Sequence, residues 1–155
     1  MTPLVRKANI PDVPQIYELL KVFAGQGLML PRPLSELYDL IRDFFVSPSI
    51  DEPGTIAGAC ALHVCWSDLG EIRSLAVEPS RQGSNLGRGL VEACVAEARE
   101  LGLKRLFVLT YIPEYFKRFG FELIDKSALP PIIWADCLKC VKFPECGELA
   151  LEKKL

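Results

Sequence analysis

The amino-acid sequence predicts a mixed α/β fold, in which helices flank a central mixed β-sheet. Apolar runs typical of buried strands alternate with segments whose apolar residues recur at helical spacing, and glycine or proline marks most junctions between them. Half of the 155 residues are hydrophobic and a quarter are charged, which indicates a globular chain and excludes a disordered one. We therefore expect residues 1–155 to form a single domain.

The first half of the chain predicts a short strand, two helices and then long strands. The stretch "LVRKA" is the first strand, and the helix after it stops at Gly25 or Gly27. Its apolar residues at helical spacing are Val13, Ile16, Leu19, Leu20 and Phe23. A second helix in "PLSELYDLIRDFF" places on one side Leu34, Leu37, Leu40, Ile41 and Phe44. The nearly continuous apolar runs "TIAGACALHVC" and "GEIRSLAVE" indicate strands buried on both faces.

The second half predicts a long helix that ends at Gly102 with a left-handed cap. The residues that this helix should bury are Leu90, Val91, Cys94, Val95, Ala98 and Leu101. After it come a buried strand in "KRLFVLT", a short helix in "PEYFKRFG", a strand in "FELID" and a final strand in "ELALEKK".

Composition excludes several classes of partner. The net charge of −2 and the sequence pI of about 5.5 give no field that would attract nucleic acid or an anionic membrane. The first residues contain no apolar signal region, and the longest apolar run is too short to cross a bilayer. Six cysteines without a signal peptide are typical of reduced thiols. The sequence therefore predicts a soluble cytoplasmic protein.

A loop of small residues leads directly into the long helix and is suited to an anion. The first backbone N–H groups of a helix, with its dipole, attract negative charge, and small residues let the backbone approach a ligand closely. The loop backbone comes from Gly83, Ser84, Asn85, Leu86 and Gly87, flanked by the side-chain donors of Gln82 and Arg88. The residues alone leave two interpretations open, a pyrophosphate site or a Gly-rich turn without a ligand.

The stretch "RSLAVEPSRQGSNLGRGLVEACVAEARELG", followed by "LFVLT" and "PEYFKRFGF", resembles the acetyl-CoA-binding core of the GNAT N-acetyltransferase superfamily. The resemblance implies that the loop Gln82–Gly87 and Arg88 bind the pyrophosphate of acetyl-CoA, the cosubstrate. Asn85 stands where that superfamily has its first glycine. Asn tolerates left-handed backbone better than other non-glycine residues, so we expect the loop to keep its shape.

The resemblance also implies how the acetyl group is transferred, by direct attack of an amine on the thioester. The backbone of Leu75, Ala76 and Val77 would bind the pantetheine arm and stabilise the developing oxyanion. Glu71 is the candidate base, because burial in an apolar strand would raise its pKa towards a useful value; a solvated carboxylate at a strand start is the alternative. Phe116 occupies the usual place of a tyrosine acid and is expected to border the coenzyme. Tyr111 or Tyr115 would then protonate the thiolate, or no acid is used.

Four stretches, among them "GLMLPRPLSELYDLIRDFFV" and "WADCLKCVKFPECGE", narrow the resemblance to the short, single-domain amino-acid N-acetyltransferases of bacterial arginine biosynthesis, which acetylate glutamate. The planar guanidinium of arginine suits the carboxylates of a dicarboxylate acceptor, so Arg32 and Arg73 are candidate substrate ligands. The alternative for each is an ordinary surface charge. Met29 and Leu30 would wall the same region.

The Cys- and Pro-rich segment 130–147 is expected to pack within the domain. Cys137, Cys140 and Cys146 have a spacing that suggests zinc, but a structural zinc site needs four ligands. Buried reduced thiols are therefore favoured, with no metal, over a zinc site or a redox sensor.

The acceptor and the class of protein stay open at this point. The alternatives to a glutamate N-acetyltransferase are a related enzyme for another amine, such as glutamine, another amino acid, a polyamine or a protein N-terminus, and a non-catalytic acyl-CoA-binding module. A homodimer is compatible with the sequence.

Overall fold

The computed structural model describes residues 4–27, 29, 31–81, 85–130, 133 and 148–155. In this part of the chain, seven strands form a mixed sheet in the order β1-β2-β3-β4-β5-β7-β6. The strands are β1 Arg6–Lys7, β2 Phe44–Pro48, β3 Ile56–Trp66, β4 Leu69–Val77, β5 Arg105–Thr110, β6 Glu122–Ile124 and β7 Leu149–Lys154. The helices are α1 Val13–Gly25, α2 Leu34–Asp39, α3 Leu86–Leu101 and α4 Pro113–Lys117. The predicted mixed α/β fold is confirmed.

Contacts divide the chain into two units, each with its own core. The first unit is Met1–His63 with Ile72–Glu97, and the second is Val64–Glu71 with Ala98–Leu155. The first core contains Val13, Ile16, Leu20, Leu37, Phe44, Val46, Ala59, Ala61 and Ala76. The second contains Leu69, Phe107, Leu129, Ile133 and Ala150. The prediction of one domain over 1–155 stays a prediction.

In the first unit, the predicted second helix is too long. Helix α2 ends at Asp39, and Phe44 begins strand β2 instead of lying on a helical face. Phe44 pairs with Ala61, and Val46 with Ala59, in an antiparallel ladder with β3. Both side chains are buried, because alternate residues of a strand face the same side of the sheet. Aromatic and β-branched residues favour pairing in a strand, and this pairing outweighs the helical spacing of the apolar residues.

In the second unit, the end of α3 differs from the prediction at one residue. Gly102 is left-handed, with φ 87°, as predicted. The N–H of Gly102 donates to the carbonyl of Arg99 at 3.1 Å, and that of Leu103 donates to Ala98 at 3.0 Å, which is a Schellman motif. This motif buries Leu103 and leaves Leu101 58% exposed. The prediction that Leu101 is buried is therefore wrong, because the capping turn buries the side chain of Leu103 instead of that of Leu101.

Parallel and antiparallel pairing meet at β5. Residues Leu69–Glu71 of β4 pair in parallel with Arg105–Phe107, and β7 pairs with β5 in antiparallel fashion along its whole length. Strand β6 then adds to the other edge of β7. Among the described residues, no helix combines the length and the apolarity that crossing a bilayer requires.

Gly58 of β3 allows α3 and β4 to approach closely. A Cβ at this position would lie 3.0 Å from Cδ1 of Leu90 and 3.3 Å from the carbonyl oxygen of Ala76. Leu90 is fully buried and the oxygen belongs to the backbone, so neither can yield easily. We expect Gly58→Ala to lower the free energy of unfolding by about 1–3 kcal/mol, measured by urea denaturation.

Gly25 provides the matched control for this prediction. It is the last residue of α1, and a Cβ there would meet nothing within 4 Å. We expect Gly25→Ala to leave stability unchanged or to raise it by up to about 1 kcal/mol, since alanine is the better helix former. Equal urea midpoints for the two variants would refute the close approach at Gly58.

Candidate active site

Strand β4 carries a left-handed residue in its interior, which sequence reasoning missed. Ser74 has φ 58°, whereas serine in a regular strand has negative φ. Such residues cost free energy and concentrate at bulges and functional sites. The next three residues are the predicted thioester ligands, of which Ala76 is 2% exposed while Leu75 and Val77 are half-buried. A small polar residue within an apolar strand was the only signal that could have indicated Ser74.

The loop before α3 is described from Asn85 onward. Asn85 has φ 68°, which confirms the expectation of left-handed backbone where a glycine was expected. Its carbonyl accepts a hydrogen bond from the N–H of Gly89 at 3.1 Å, so Asn85 is the N-cap of the helix. Gln82, Gly83 and Ser84 lie outside the described residues, and their predicted contacts with pyrophosphate stay predictions.

The first turn of α3 follows directly. Leu86 and Gly87 are buried, whereas Arg88 is exposed and pairs with Glu92 at 3.5 Å across one helical turn. The first N–H groups of any helix lack partners within that helix, so this turn directs N–H donors toward the loop. The local geometry is compatible with the predicted anion site.

Glu71 lies at the last of the three pairs between β4 and β5, opposite Phe107. Its side chain is half-buried, and the two residues before it, Leu69 and Gly70, are buried. Arg73, two positions further along β4, is also half-buried, whereas Ile72 between them is fully buried. The half-buried positions fit a carboxylate and a guanidinium that retain access to solvent.

Tyr115, a predicted acid, and Phe116, a predicted coenzyme residue, belong to an aromatic cluster around α4. Phe116 is 3% exposed and packs edge-on against Phe121, with ring centroids 5.9 Å apart. Tyr115 is half-buried, contacts the rings of Phe116 and Phe119 at 5.3 Å, and lies beneath the guanidinium of Arg118. Tyr111 is half-buried just after β5. Phe116 therefore contributes to packing here, and its contact with coenzyme stays a prediction.

A cavity of about 280 Å³ lies in the first unit, between α1 and the segment that precedes α2. Its lining residues are Tyr17, Leu20, Lys21, Ala24, Gly25, Pro31 and Arg32. The Arg32 side chain is only 10% exposed and its Nη1 donates to Oε1 of Glu36. Met29 is half-buried against the first core, and Leu30 lies outside the described residues. Sequence reasoning selected Arg32 but missed Tyr17 and Lys21, which do not belong to the apolar pattern of α1.

Cys60 and Cys94 are buried together, with their sulfur atoms 3.7 Å apart. The hydrogen bond to Cys60, reinforced by burial, raises the pKa of the Cys94 thiol well above its usual value. A thiol that stays protonated is a poor nucleophile. The lone histidine, His63, instead contacts Asp43 through Nδ1 at 2.7 Å.

The predicted zinc ligands Cys137, Cys140 and Cys146 lie outside the described residues. Within the described ranges, no group of three or more His, Cys, Asp or Glu side chains is arranged to hold a metal ion. The role of the tail cysteines, and whether they bind a metal ion, therefore stay predictions.

Comparison with known proteins identifies the class. The family model described as "Acetyltransferase (GNAT) family" matches residues 13–121. The chain is thus an acyl-transferring enzyme, and it belongs to the GNAT acetyltransferase family. The resemblance stated from the motifs is confirmed.

Individual relatives are similar over most of the chain. The Amino-acid acetyltransferase of Mycobacterium tuberculosis is 43% identical over 123 residues, which cover 79% of this chain and 70% of the relative. The crystal structure of Rv2747 from Mycobacterium tuberculosis in complex with CoA and NLQ has a TM-score of 0.86 at 33% identity and covers 99% of both chains. N-acetylglutamate synthase from Neisseria gonorrhoeae, complexed with coenzyme A and N-acetyl-glutamate, has a TM-score of 0.89 at 28% identity. That match covers 100% of this chain and 35% of the synthase.

Proposed function

We propose that this enzyme transfers the acetyl group of acetyl-CoA to the α-amino group of an amino acid, with L-glutamate as the first candidate. The observation that carries the proposal is the 43% identity to an amino-acid acetyltransferase. The structural similarity to a synthase complexed with N-acetyl-glutamate favours glutamate among amino acids, and the coenzyme A in both neighbouring complexes favours acetyl-CoA as donor. In this proposal the enzyme works in the cytoplasm, in arginine biosynthesis.

The donor would be held at the junction of β4, the loop and α3. In this proposal, the N–H groups from Gly83 to Arg88 bind the diphosphate, which the helix dipole also favours. The left-handed backbone at Asn85 supports this assignment, because it preserves the turn that a glycine would make. The guanidinium of Arg88 adds a cation at the same turn.

The thioester would lie along Leu75, Ala76 and Val77. A backbone N–H directed at the thioester oxygen would stabilise the charge that develops there as the amine attacks. The carbon–nitrogen bond forms, the carbon–sulfur bond breaks, and coenzyme A leaves as a thiolate. The left-handed Ser74 supports the assignment, because it interrupts the regular strand just before these residues.

Two proton transfers complete the reaction. An ammonium group cannot attack, so Glu71 takes its proton directly or through a water molecule. The thiolate is protonated by Tyr111, by Tyr115 or by solvent. The half-buried position of Glu71 supports its role, since a general base must reach both its substrate and an exit for the proton.

The acceptor would be held by Arg32 and Arg73, with Met29 and Leu30 beside it. Arginine is suited to carboxylates because its planar fork can donate two parallel hydrogen bonds. The nearly complete burial of the Arg32 side chain supports this role, since a buried guanidinium binds a carboxylate more strongly than an exposed one.

A thiol-release assay with an acceptor screen tests the proposed function. Acetyl-CoA is mixed with the protein and with glutamate, glutamine, other amino acids, a polyamine or an N-terminal peptide, and free thiol is measured with time. Fast release with glutamate supports the proposal. Release only with another amine identifies another acceptor, and tight binding of acetyl-CoA without release with any amine contradicts the proposed reaction.

Replacement of Arg73 by leucine tests the acceptor assignment. We expect Arg73→Leu to raise the KM for glutamate by about tenfold or more, since hydrogen bonds to charged groups contribute about 1.5–3 kcal/mol. The KM for acetyl-CoA should change far less. Equal changes in both KM values would remove Arg73 from the acceptor site.

A further inference from the structure

The cavity beside α1 combines a buried cation with an exposed one. Arg32 donates from Nη1 to Glu36, and its Nε and Nη2 have no hydrogen-bond partner among the described residues. The guanidinium carries five N–H donors in a planar fork, so a donor edge is left for a ligand. A charged side chain that is nine-tenths buried and incompletely paired favours binding of an anion.

Lys21 supplies the second cation at the wall of this cavity. Its Nζ lies 5.9 Å from the ring centroid of Tyr17, one helical turn earlier on α1, and both residues line the cavity. Within the described residues, Lys21 forms no ion pair and no hydrogen bond through its side chain. Long lysine side chains place the stem along apolar surface and the ammonium in water, which suits the mouth of a cavity.

The cavity offers two sets of cationic donors to a ligand. Lys21 and Arg32 contribute two positive charges, of which Glu36 neutralises one, so the net charge of these three side chains favours an anion. The ammonium of Lys21 and the remaining donor edge of Arg32 can each meet one carboxylate. The volume of about 280 Å³ lies just below the range of drug-sized pockets, so the cavity suits a small metabolite. Tyr17 and the apolar wall of Leu20 and Ala24 complete a site for a short carbon chain that ends in a carboxylate.

We propose that Lys21 is a specificity-determining residue. It pairs with one carboxylate of an acidic acceptor, while Arg32 binds the other carboxylate in the same cavity. This inference rests on the proposed function, because it assigns to α1 the discrimination between acidic and neutral amino acids. A neutral side chain such as the amide of glutamine would leave the Lys21 ammonium without a counter-charge.

Glutarate tests the carboxylate site independently of catalysis, because it carries two carboxylates and no amine to acetylate. Its affinity is measured by calorimetry for the unmodified full chain and for Lys21→Met, which keeps the stem and removes the charge. We expect about fivefold weaker binding in the variant, since a partly exposed ion pair contributes up to about 1 kcal/mol. Lys21→Arg should restore most of the affinity.

The matched control is Lys104→Met, an exposed lysine in the other unit whose removal changes the net charge equally. It should leave glutarate binding unchanged. The KM for glutamate should rise about fivefold in Lys21→Met, with the KM for glutamine and for acetyl-CoA unchanged. Absent glutarate binding, or equal affinity in Lys21→Met and Lys104→Met, overturns the inference. Glutarate binding that depends on Lys21, without acetylation of any amino acid, would refute the proposed function and retain the carboxylate site.

Discussion

Replacement of Glu71 by glutamine is expected to lower kcat for amino-acid acetylation by about 10²-fold to 10⁴-fold, the range typical of a lost general base. Glutamine has nearly the same shape, so the pairing of Glu71 with Phe107 in the sheet should persist. The KM for acetyl-CoA should stay close to its original value. Steady-state kinetics with glutamate and a fixed excess of acetyl-CoA measure the effect.

The pH dependence distinguishes a base from a structural carboxylate. Without Glu71, only amine molecules that have already lost their proton to solvent can attack, so the deficit should shrink as the pH rises. Glu122→Gln is the control, because it removes an exposed carboxylate from strand β6. If Glu71→Gln keeps kcat within twofold of the unmodified enzyme, or loses activity equally at every pH, Glu71 is not the base.

Reversal of the charge at Arg88 is expected to weaken coenzyme A binding by about tenfold or more, because a hydrogen bond to a charged group contributes about 1.5–3 kcal/mol. The new carboxylate would also repel the diphosphate. The substitution loses the pair with Glu92 and places two carboxylates four residues apart, but the helix dipole favours an acidic residue in the first turn of α3, so the effect on folding should be small. Calorimetric titration with coenzyme A measures the change, and thermal unfolding verifies the fold.

Arg88→Gln separates the two contributions, since it removes the cation without adding an anion. We expect its affinity to lie between that of the original protein and that of Arg88→Glu. An unchanged affinity in the charge-reversed variant would mean that this turn does not hold the diphosphate.

Single-residue conformational rules predicted the structure best. Gly102 was expected to be left-handed because it follows the last helical turn, and Asn85 because asparagine tolerates that region. Both expectations were correct. These rules depend on local sterics, which follow from the residue type alone.

Predictions that depend on tertiary partners were weaker. The spacing of Leu40, Ile41 and Phe44 fits a helix, but the ladder with β3 makes Phe44 a strand residue. The left-handed Ser74 has only a weak sequence signal, a small polar residue within an apolar strand, because serine is common in every backbone conformation. Lys21 was missed because a charged residue on α1 is ordinary until the neighbouring cavity is seen.

The left-handed torsion at Asn85 has a consequence for how related enzymes are recognised. A letter pattern that demands glycine at this position rejects the present chain, although the main chain adopts the glycine-like angle. Homologue detection in this superfamily should therefore weigh torsion-compatible residues as equivalent there, and a catalogue built on strict glycine spacing will omit genuine members.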